Sequence, residues 1–185
     1  DKEITTVSLA GTRVFETEKA DKPWGDKELN EQEIVTDYIE SVLRKSGVYR
    51  FTKEGPVSQR AGNVEHLKTS FSFEKKLMNE NPYSFIQMLH PTPSVCGLPK
   101  EMALDVIKRI EKHEREYYTG FLGPVNFENQ WHLYVNLRSM KVDKNRFYYY
   151  LGAGITSGSD PSGEWEETQN KKNTLQNIVQ SLNGE

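Results

Sequence analysis

Apolar residues recur at three- and four-residue spacing in three stretches of the chain, which is the pattern of a helix with one buried face. These stretches span residues 30–44, 99–110 and 159–182. A shorter apolar run at residues 81–89 contains a proline near its start and predicts one more helix. The spacing therefore predicts three amphipathic helices and a short one, spread along the chain.

Apolar runs bounded by glycine and proline lie between these helices and predict strands. In the first half they are residues 4–10, 48–51, 56–59 and 63–73, and in the second half they are residues 122–127, 131–142 and 146–155. Strands that are grouped between helices, rather than alternating with them one by one, favour antiparallel pairing. The predicted fold class is α+β, a mainly antiparallel sheet with flanking helices.

The last predicted helix carries charged residues on its apolar face. Asp160 suits the N-cap and Pro161 suits the first helical position. The apolar stripe that follows consists of Leu175, Ile178, Val179 and Leu182. Traced back at about 100° per residue, the same stripe passes through Lys171, Glu167 and Glu164. Glu166 falls on the opposite, solvent side.

These inward acids have two interpretations. Acids in the first turns of a helix complement its macrodipole, and Glu167 with Lys171 is a favourable i,i+4 pair. Charges that face inward, however, are costly unless they meet a metal, a ligand or a counter-charge. Glu31 repeats the anomaly on the apolar face of the 30–44 helix. Two helices that each direct a carboxylate inward indicate a shared hard cation, for which Mg²⁺ is a better fit than zinc.

Other positions carry weaker signals. Arg138 ends a polar row on a predicted strand, where it either pairs with a surface acid or clamps a substrate carboxylate. Gly152 and Gly154 precede the last helix at a spacing that differs from GxGxxG, which favours close approach of a ligand over a nucleotide fold. His66, inside a strand, and Cys96 are interpreted as packed residues.

Composition excludes several classes of protein. The chain has 185 residues and a formal net charge of −3, which suits one core and gives no basic surface for nucleic acid. No apolar run approaches the ~20 residues of a membrane span, and the start resembles no signal peptide. A single cysteine favours a reducing compartment, so we expect a cytoplasmic protein. Because the chain enters a strand-like segment at once, without methionine, we expect a segment of a longer protein.

Six motifs occur in the order expected of the chorismate-utilising enzymes, and together they cover the chain. They are SLAGTR, VEHL, HPTPSVCGLPK, REYYTG, LRS and GAGITSGSDPSGEWEETQNK. The chain therefore resembles this family, to which anthranilate synthase component I also belongs. Within it the isochorismate synthases are most similar, because Trp165 lies in GEWEET and LRS stands in place of IRT. The resemblance implies half of an αββα sandwich, with residues 1–185 as the C-terminal half of a chorismate-binding catalytic domain.

The resemblance also implies a metal site. Glu31 and Glu167 would hold the Mg²⁺ that binds the ring carboxylate of chorismate. Glu164 would lie in or beside the coordination shell of this ion. Lys171 would stand next to the same carboxylate. The charged residues that the helical phase marks as anomalous thus become the metal and carboxylate ligands that the family requires.

The remaining implied contacts concern the rest of the substrate. Arg138 and Tyr118, with the backbone around Gly152, would hold the enolpyruvyl carboxylate. His66 would lie at the ring, and the pocket would be lined by Gly11 and Thr12. The implied reaction converts chorismate to isochorismate for menaquinone or a catechol siderophore.

Ser94 leaves the product open. Isochorismate synthases usually carry alanine at this position, whereas amine-forming and salicylate-forming relatives tend to carry threonine. Serine is intermediate between the two. Salicylate synthase and anthranilate synthase therefore remain alternatives to isochorismate synthase.

The resemblance further implies that half of the catalytic unit is missing. The family's lysine base and glutamate acid come from the N-terminal half, upstream of Asp1. We therefore expect negligible turnover by this chain alone, with the N-terminal half of the same enzyme as its partner. Uncovered sheet edges and apolar faces also predict self-association. An alternative of another class is a non-catalytic module that only binds metal and ligand.

Overall fold

The computed structural model describes residues 3–15, 22–61 and 64–182. The chain divides into two compact units, with the boundary between Leu104 and Asp105. Unit 1 comprises residues 1–104 and unit 2 comprises residues 105–185. The expectation of one partial domain over residues 1–185 stays a prediction.

An antiparallel sheet of three strands forms the frame of unit 1. Its strands are β1 (Glu3–Val14), β2 (Thr52–Ala61) and β3 (Val64–Glu74), in the order β1-β3-β2. The residues of β3 alternate between buried and half-buried, because Leu67, Phe71 and Phe73 point to one face together with Glu65 and Thr69. The pairing of β1 with β3 shifts register between Ala10 and Thr12, which makes Gly11 a β-bulge with φ of +69°.

Helix α1 (Asp26–Lys45) covers the buried face of this sheet. It begins before the predicted residue 30, because Asp26 and Glu28 in its first turn complement the macrodipole. The buried hydrophobic core combines its inner face with β3 and the following segments. This core consists of Val35, Ile39, Val42, Leu43, Val48, Phe71, Phe73 and Phe85.

Short helices complete unit 1. They are α2 (Pro82–Leu89), which Asn81 caps, and α3 (Pro93–Cys96). Helix α4 (Lys100–Ile110) begins in unit 1 and continues across the boundary. The predicted strand at residues 48–51 is wrong, since these residues lie outside any strand. The predicted core stripe of α4 is also wrong, because α4 contains no buried residue.

Unit 2 contains two small antiparallel pairs and one long helix. β4 (Phe121–Leu122) pairs with β5 (Tyr134–Val135), and β6 (Ser139–Asp143) pairs with β7 (Arg146–Tyr150). Helix α5 (Pro161–Leu182) ends the described chain. The predicted continuous strand at 131–142 is wrong, because the backbone of Arg138 has φ of +49° and interrupts it.

The mixed helices and antiparallel pairs confirm the α+β class expected from the sequence. Within the part of the chain that the structure describes, no helix is both long and apolar enough to span a membrane.

Candidate functional site

The first turns of α5 place a carboxylate inside the protein. Asp160 caps the helix, and its Oδ2 atom accepts a hydrogen bond from the backbone N–H of Gly163 at 2.7 Å. Glu164, one turn from the cap, is only 5% exposed, whereas Glu166 is exposed. The helical phase predicted this division of the acids between an inner and an outer face, and the structure confirms it.

Glu167 and Lys171 lie further along α5 and form an ion pair. Lys171 Nζ is 2.6 Å from Glu167 Oε1, and both side chains are half-buried. The same ammonium donates a hydrogen bond to the carbonyl oxygen of Gly152 at 2.9 Å. Lys171 therefore ties the helix to the loop that follows β7 and keeps a positive charge beside the Glu167 carboxylate.

Tyr118 reaches the same loop. A Cβ atom at Gly152 would lie 2.9 Å from the Tyr118 hydroxyl oxygen, so the absence of a side chain allows this approach. Burial raises the pKa of the Tyr118 phenol, which therefore stays protonated at neutral pH and retains its donor hydrogen. The structure thus brings Tyr118, Gly152, Lys171 and Glu167 together in unit 2.

Arg115 supports Tyr118, and the sequence patterns did not point to it. Its guanidinium carbon lies 5.7 Å from the centroid of the Tyr118 ring. Two hydrogen bonds to Glu111, at 2.8 Å and 2.5 Å, hold the guanidinium in place. The hydrogen bond from Arg115 also holds the pKa of Glu111 below its usual range. The available signal was the i,i+4 spacing of this acid and base in the segment that directly follows α4.

Arg138 occupies an irregular turn between β5 and β6. Its φ of +49° is uncommon for a residue other than glycine, and its side chain is half-buried. The structure thus places Arg138 in a turn directly before β6, and not at the end of the long strand that the sequence predicted.

In unit 1 the Gly11 bulge brings three predicted pocket residues together. Thr12 is paired directly with His66 across the sheet. Thr12 Oγ1 lies 3.0 Å from His66 Nδ1, and the carbonyl oxygen of Gly11 lies 3.3 Å from the same nitrogen. His66 therefore does more than fill space in a strand, because its ring is oriented by the bulge.

Glu31 lies at the border of the core of unit 1. Its side chain is 25% exposed, and its Oε1 atom is 3.9 Å from Lys27 Nζ. The fully inward polar residue of α1 is its neighbour Gln32, which is 2% exposed. The sequence analysis missed Gln32, although its spacing to Val35 and Ile39 marks it as a polar residue on the apolar face.

Ser94 lies on α3 and is exposed. Its hydroxyl oxygen is 2.8 Å from the hydroxyl oxygen of Thr92. The segment that precedes α3 is held by Lys100, whose Nζ donates to the Tyr38 hydroxyl at 3.1 Å and to the His90 carbonyl at 3.0 Å. These bonds connect the loop that carries Ser94 to α1.

The donors of the candidate metal site are carboxylates. Over residues 3–15, 22–61 and 64–182, no three His, Cys, Asp or Glu side chains form a metal cluster. Glu164 and Glu167 nevertheless stand at neighbouring positions of one helix, and the first of them is buried. Carboxylate oxygens completed by water and substrate are the donors that Mg²⁺ prefers, so the chemistry of these residues fits this ion.

The comparisons with known proteins assign the chain to a family. The sequence matches the family described as chorismate binding enzyme over residues 1–180. The chain therefore belongs to the chorismate-binding enzymes. The resemblance stated from the motifs is confirmed at this level.

Three relatives show what the chain is similar to. Isochorismate synthase EntC of Escherichia coli is 33% identical over 153 residues, which cover 83% of this chain and 39% of that protein. Anthranilate synthase component 1 of Neisseria meningitidis is 28% identical, covering 94% of this chain and 37% of that protein. The solved structure of MenF, the menaquinone-specific isochorismate synthase of E. coli, matches with a TM-score of 0.80 and 31% identity, covering 95% of this chain and 42% of that one.

The chain thus spans about two fifths of the length of these relatives. The match to the MenF structure supports the α+β fold over nearly the whole chain. Because one similar protein is an anthranilate synthase, family membership leaves the particular reaction open.

Proposed function

We propose that this chain supplies the magnesium- and carboxylate-binding part of an isochorismate synthase, an isomerase that converts chorismate to isochorismate. The observation that carries this proposal is the buried carboxylate of Glu164, close to the contacts among Glu167, Lys171 and Gly152. Carboxylate oxygens are the donors that a hard cation such as Mg²⁺ prefers, and such a cation also binds a substrate carboxylate. The chorismate-binding family supports chorismate as the substrate.

The proposed magnesium ligands are Glu164 and Glu167, and Glu31 is the candidate in unit 1. When bound, Mg²⁺ neutralises and orients the ring carboxylate of chorismate. Lys171 is proposed to stand beside that carboxylate, since its ammonium is already held next to Glu167 at 2.6 Å. The bond from Lys171 to the Gly152 carbonyl keeps the charge fixed before substrate arrives.

A second set of residues is proposed to hold the enolpyruvyl carboxylate. Arg138 offers a planar guanidinium, which binds a carboxylate through two parallel hydrogen bonds. Tyr118 donates a hydrogen bond from a phenol that its raised pKa keeps protonated. His66, Gly11 and Thr12 are proposed to line the pocket at the ring. This binding orients the substrate for reaction, which alone lowers the barrier by removing rotational and translational freedom.

The chemical steps require two further groups. Water attacks ring C2 and the hydroxyl at C4 leaves, so one group must accept a proton and another must donate one. We propose that both groups come from the N-terminal part of the enzyme, because the chain spans only 39% of a relative such as EntC. The chain alone then binds chorismate with negligible turnover.

A second candidate reaction is salicylate or anthranilate synthesis. Ser94 leaves it open, because the serine at this position is intermediate between the alanine and threonine of the two groups of relatives. The similarity to an anthranilate synthase is in keeping with this alternative. The products formed with and without ammonia distinguish the candidates: isochorismate, salicylate, or anthranilate only when ammonia is present.

The test is chorismate turnover with Mg²⁺ by the chain alone and after mixing with a separately made N-terminal half. We expect activity only in the mixture. Glu164→Gln should reduce it by about a hundredfold or more, as expected when a metal ligand is lost. Glu166→Gln is the matched control, because it changes an acid of the same helix that faces solvent.

Three results would contradict the proposal. Turnover by the chain alone would place a base and an acid within these 185 residues. Equal activity of the Glu164 and Glu166 variants would remove the metal assignment. Binding of chorismate and Mg²⁺ with no activity in any mixture would favour the non-catalytic module.

A further inference from the structure

Four polar side chains lie buried between α1 and the sheet of unit 1, namely Ser8, Gln32, Thr36 and Thr69. Gln32 is at the centre of this network. Its Nε2 atom donates to the hydroxyls of Ser8 at 2.8 Å and Thr69 at 3.0 Å. Its Oε1 atom accepts a hydrogen bond from the backbone N–H of Ala10 at 2.9 Å. One side-chain amide therefore joins α1 to both β1 and β3.

The bond to Ala10 acts directly before the Gly11 bulge. A Cβ atom at Gly11 would lie 2.9 Å from the Glu28 carbonyl oxygen and 3.1 Å from Glu28 Cβ, so α1 approaches the bulge closely. Glu28 precedes Gln32 by one helical turn and shares its face of α1. The beginning of α1 is therefore fixed against β1 at two consecutive turns.

Proposed ligand-binding residues lie next to both of these contacts, the Gln32–Ala10 hydrogen bond and the close approach of Glu28 to Gly11. Thr12 and the His66 ring follow the bulge, with Thr12 Oγ1 at 3.0 Å from His66 Nδ1. Glu31 immediately precedes Gln32, about 100° around the helix. Hydrogen bonds are directional, whereas apolar contacts are not, so the Gln32 bonds exclude small rotations and shifts of α1 that the apolar core would tolerate.

We propose that Gln32 is a positioning residue that fixes Glu31 relative to the Gly11, Thr12 and His66 group. This inference rests on the proposed function. Gln32 is 2% exposed and therefore acts on a ligand only through its neighbours. Changes to side chains that orient metal ligands without touching the metal weaken metal binding by about tenfold or more, which gives the inference a measurable signature.

The test compares Gln32→Met with Thr36→Val. Methionine keeps the length of the side chain and removes the amide. Thr36→Val removes the 2.9 Å contact between the hydroxyls of Thr36 and Ser8, which belongs to the same network one turn further from Glu31. The first readout is hydrogen–deuterium exchange in residues 8–12 and 26–32. The second is the Mg²⁺ concentration that gives half-maximal turnover in the mixture with the N-terminal half.

We expect Gln32→Met to speed exchange in both segments and to raise the required Mg²⁺ concentration by about tenfold. Its turnover at saturating Mg²⁺ should stay within about twofold of the wild type, because the groups that transfer protons are unchanged. Thr36→Val should leave the Mg²⁺ requirement within about twofold of the wild type.

Different results would overturn the proposed function and the positioning role of Gln32. If the wild-type mixture is inactive, the proposed function is wrong and the positioning role is overturned with it. If the wild type is active while Gln32→Met keeps its Mg²⁺ requirement, only the positioning role is overturned. A similar rise in both variants also overturns it, because that result indicates general loosening of unit 1. The positioning role is also overturned if Gln32→Met folds and its hydrogen–deuterium exchange in residues 8–12 equals that of the wild type.

Discussion

Unit 1 and unit 2 differ in what they keep away from water. Unit 1 has a contiguous core of aliphatic and aromatic side chains between α1 and its sheet. In the described residues of unit 2, the one buried residue is Glu164, a carboxylic acid. Many large apolar side chains of unit 2 are instead exposed, including Phe127, Val142 and Trp165. Apolar burial therefore organises the first unit, whose buried acid Glu65 is paired with Arg13, whereas the second unit has no comparable apolar core among its described residues.

The difference separates two tasks. A closed apolar core fixes the helix and the sheet that carry Glu31, Thr12 and His66. Unit 2 leaves apolar surface uncovered while it holds Lys171 through a hydrogen bond to Gly152 and an ion pair with Glu167. Exposed apolar surface of this kind favours association with another surface. The self-association expected from the sequence stays a prediction.

The largest expected effect tests the core itself. Phe71 is 0% exposed, and Phe71→Ala should lower the free energy of unfolding of unit 1 by about 3–5 kcal/mol. Val142 of unit 2 is 60% exposed, and Val142→Ala should change stability by less than about 0.5 kcal/mol. A urea titration in which hydrogen–deuterium exchange is measured separately in each unit checks both values. Comparable losses would mean that unit 2 also depends on apolar burial.

A second comparison uses two glycines. Gly11→Ala should cost unit 1 about 1–3 kcal/mol, because alanine must adopt a positive φ and its Cβ would meet the Glu28 backbone at 2.9 Å. Gly158→Ala in unit 2 should be neutral or slightly stabilising, since no atom lies within 4 Å of a Cβ there. Thermal unfolding of the two variants measures the contrast. A Gly11→Ala chain as stable as the wild type would show that β1 can move away from α1.

Two helix caps provide a finer comparison. The Asn81 side chain accepts a hydrogen bond from the Ser84 N–H at 2.9 Å, as Asp160 does from Gly163 at 2.7 Å. Each change to alanine should cost about 1 kcal/mol, the usual value of an N-cap. Asp160→Ala should in addition weaken Mg²⁺ binding, because Glu164 lies one turn from this cap. Calorimetric titration of the two variants distinguishes the cases, and equal Mg²⁺ affinities would count against a metal site at the start of α5.

The smallest effect concerns pH. Burial, with a contribution from the Lys100 charge, lowers the pKa of His90 in the folded state. The unfolded chain then binds more protons than the folded one, so unit 1 should be fully stable above about pH 6.5 and lose stability as the pH falls through the lowered pKa. In unit 2 the hydrogen bond from Arg115 lowers the pKa of Glu111 in the folded state. The stability that Glu111 contributes is therefore lost only at pH values below the ordinary glutamate range. When unfolding is measured at several pH values between 7 and 5, unit 1 should lose stability first. His90→Gln should make the stability of unit 1 depend less on pH in this range.

Sequence periodicity predicted the elements of unit 1 because their apolar residues meet one another within the unit. Val35 and Ile39 on α1 and Phe71 on β3 lie in one core. The apolar face that the sequence predicts for each of these elements is therefore the buried face. The same reasoning was wrong at residues 131–142. There several apolar side chains, including Trp131, Leu137 and Val142, remain exposed, and the positive φ of Arg138 breaks the strand.

The candidate site was predictable to the extent that helical phase determines it. The inward direction of Glu164 and the pairing of Glu167 with Lys171 follow from spacing along α5. The bond from Lys171 to Gly152 connects residues that are 19 positions apart, and no periodicity predicts it. The helical phase was also wrong by one residue on α1, where Gln32 rather than Glu31 is buried. Neighbouring residues of a helix point in directions that differ by about 100°, so a small error in the phase changes which of the two faces inward.

The buried carboxylate of Glu164 has a thermodynamic consequence for unit 2. If Glu164 binds Mg²⁺, as proposed, the ion adds RT ln(1 + [L]/Kd) to the stability of the folded unit. The melting temperature of unit 2 would then rise with the concentration of the ion. The amount of folded protein would in this way follow the free magnesium of its surroundings, so that supply of the ion controls persistence of the protein as well as its activity.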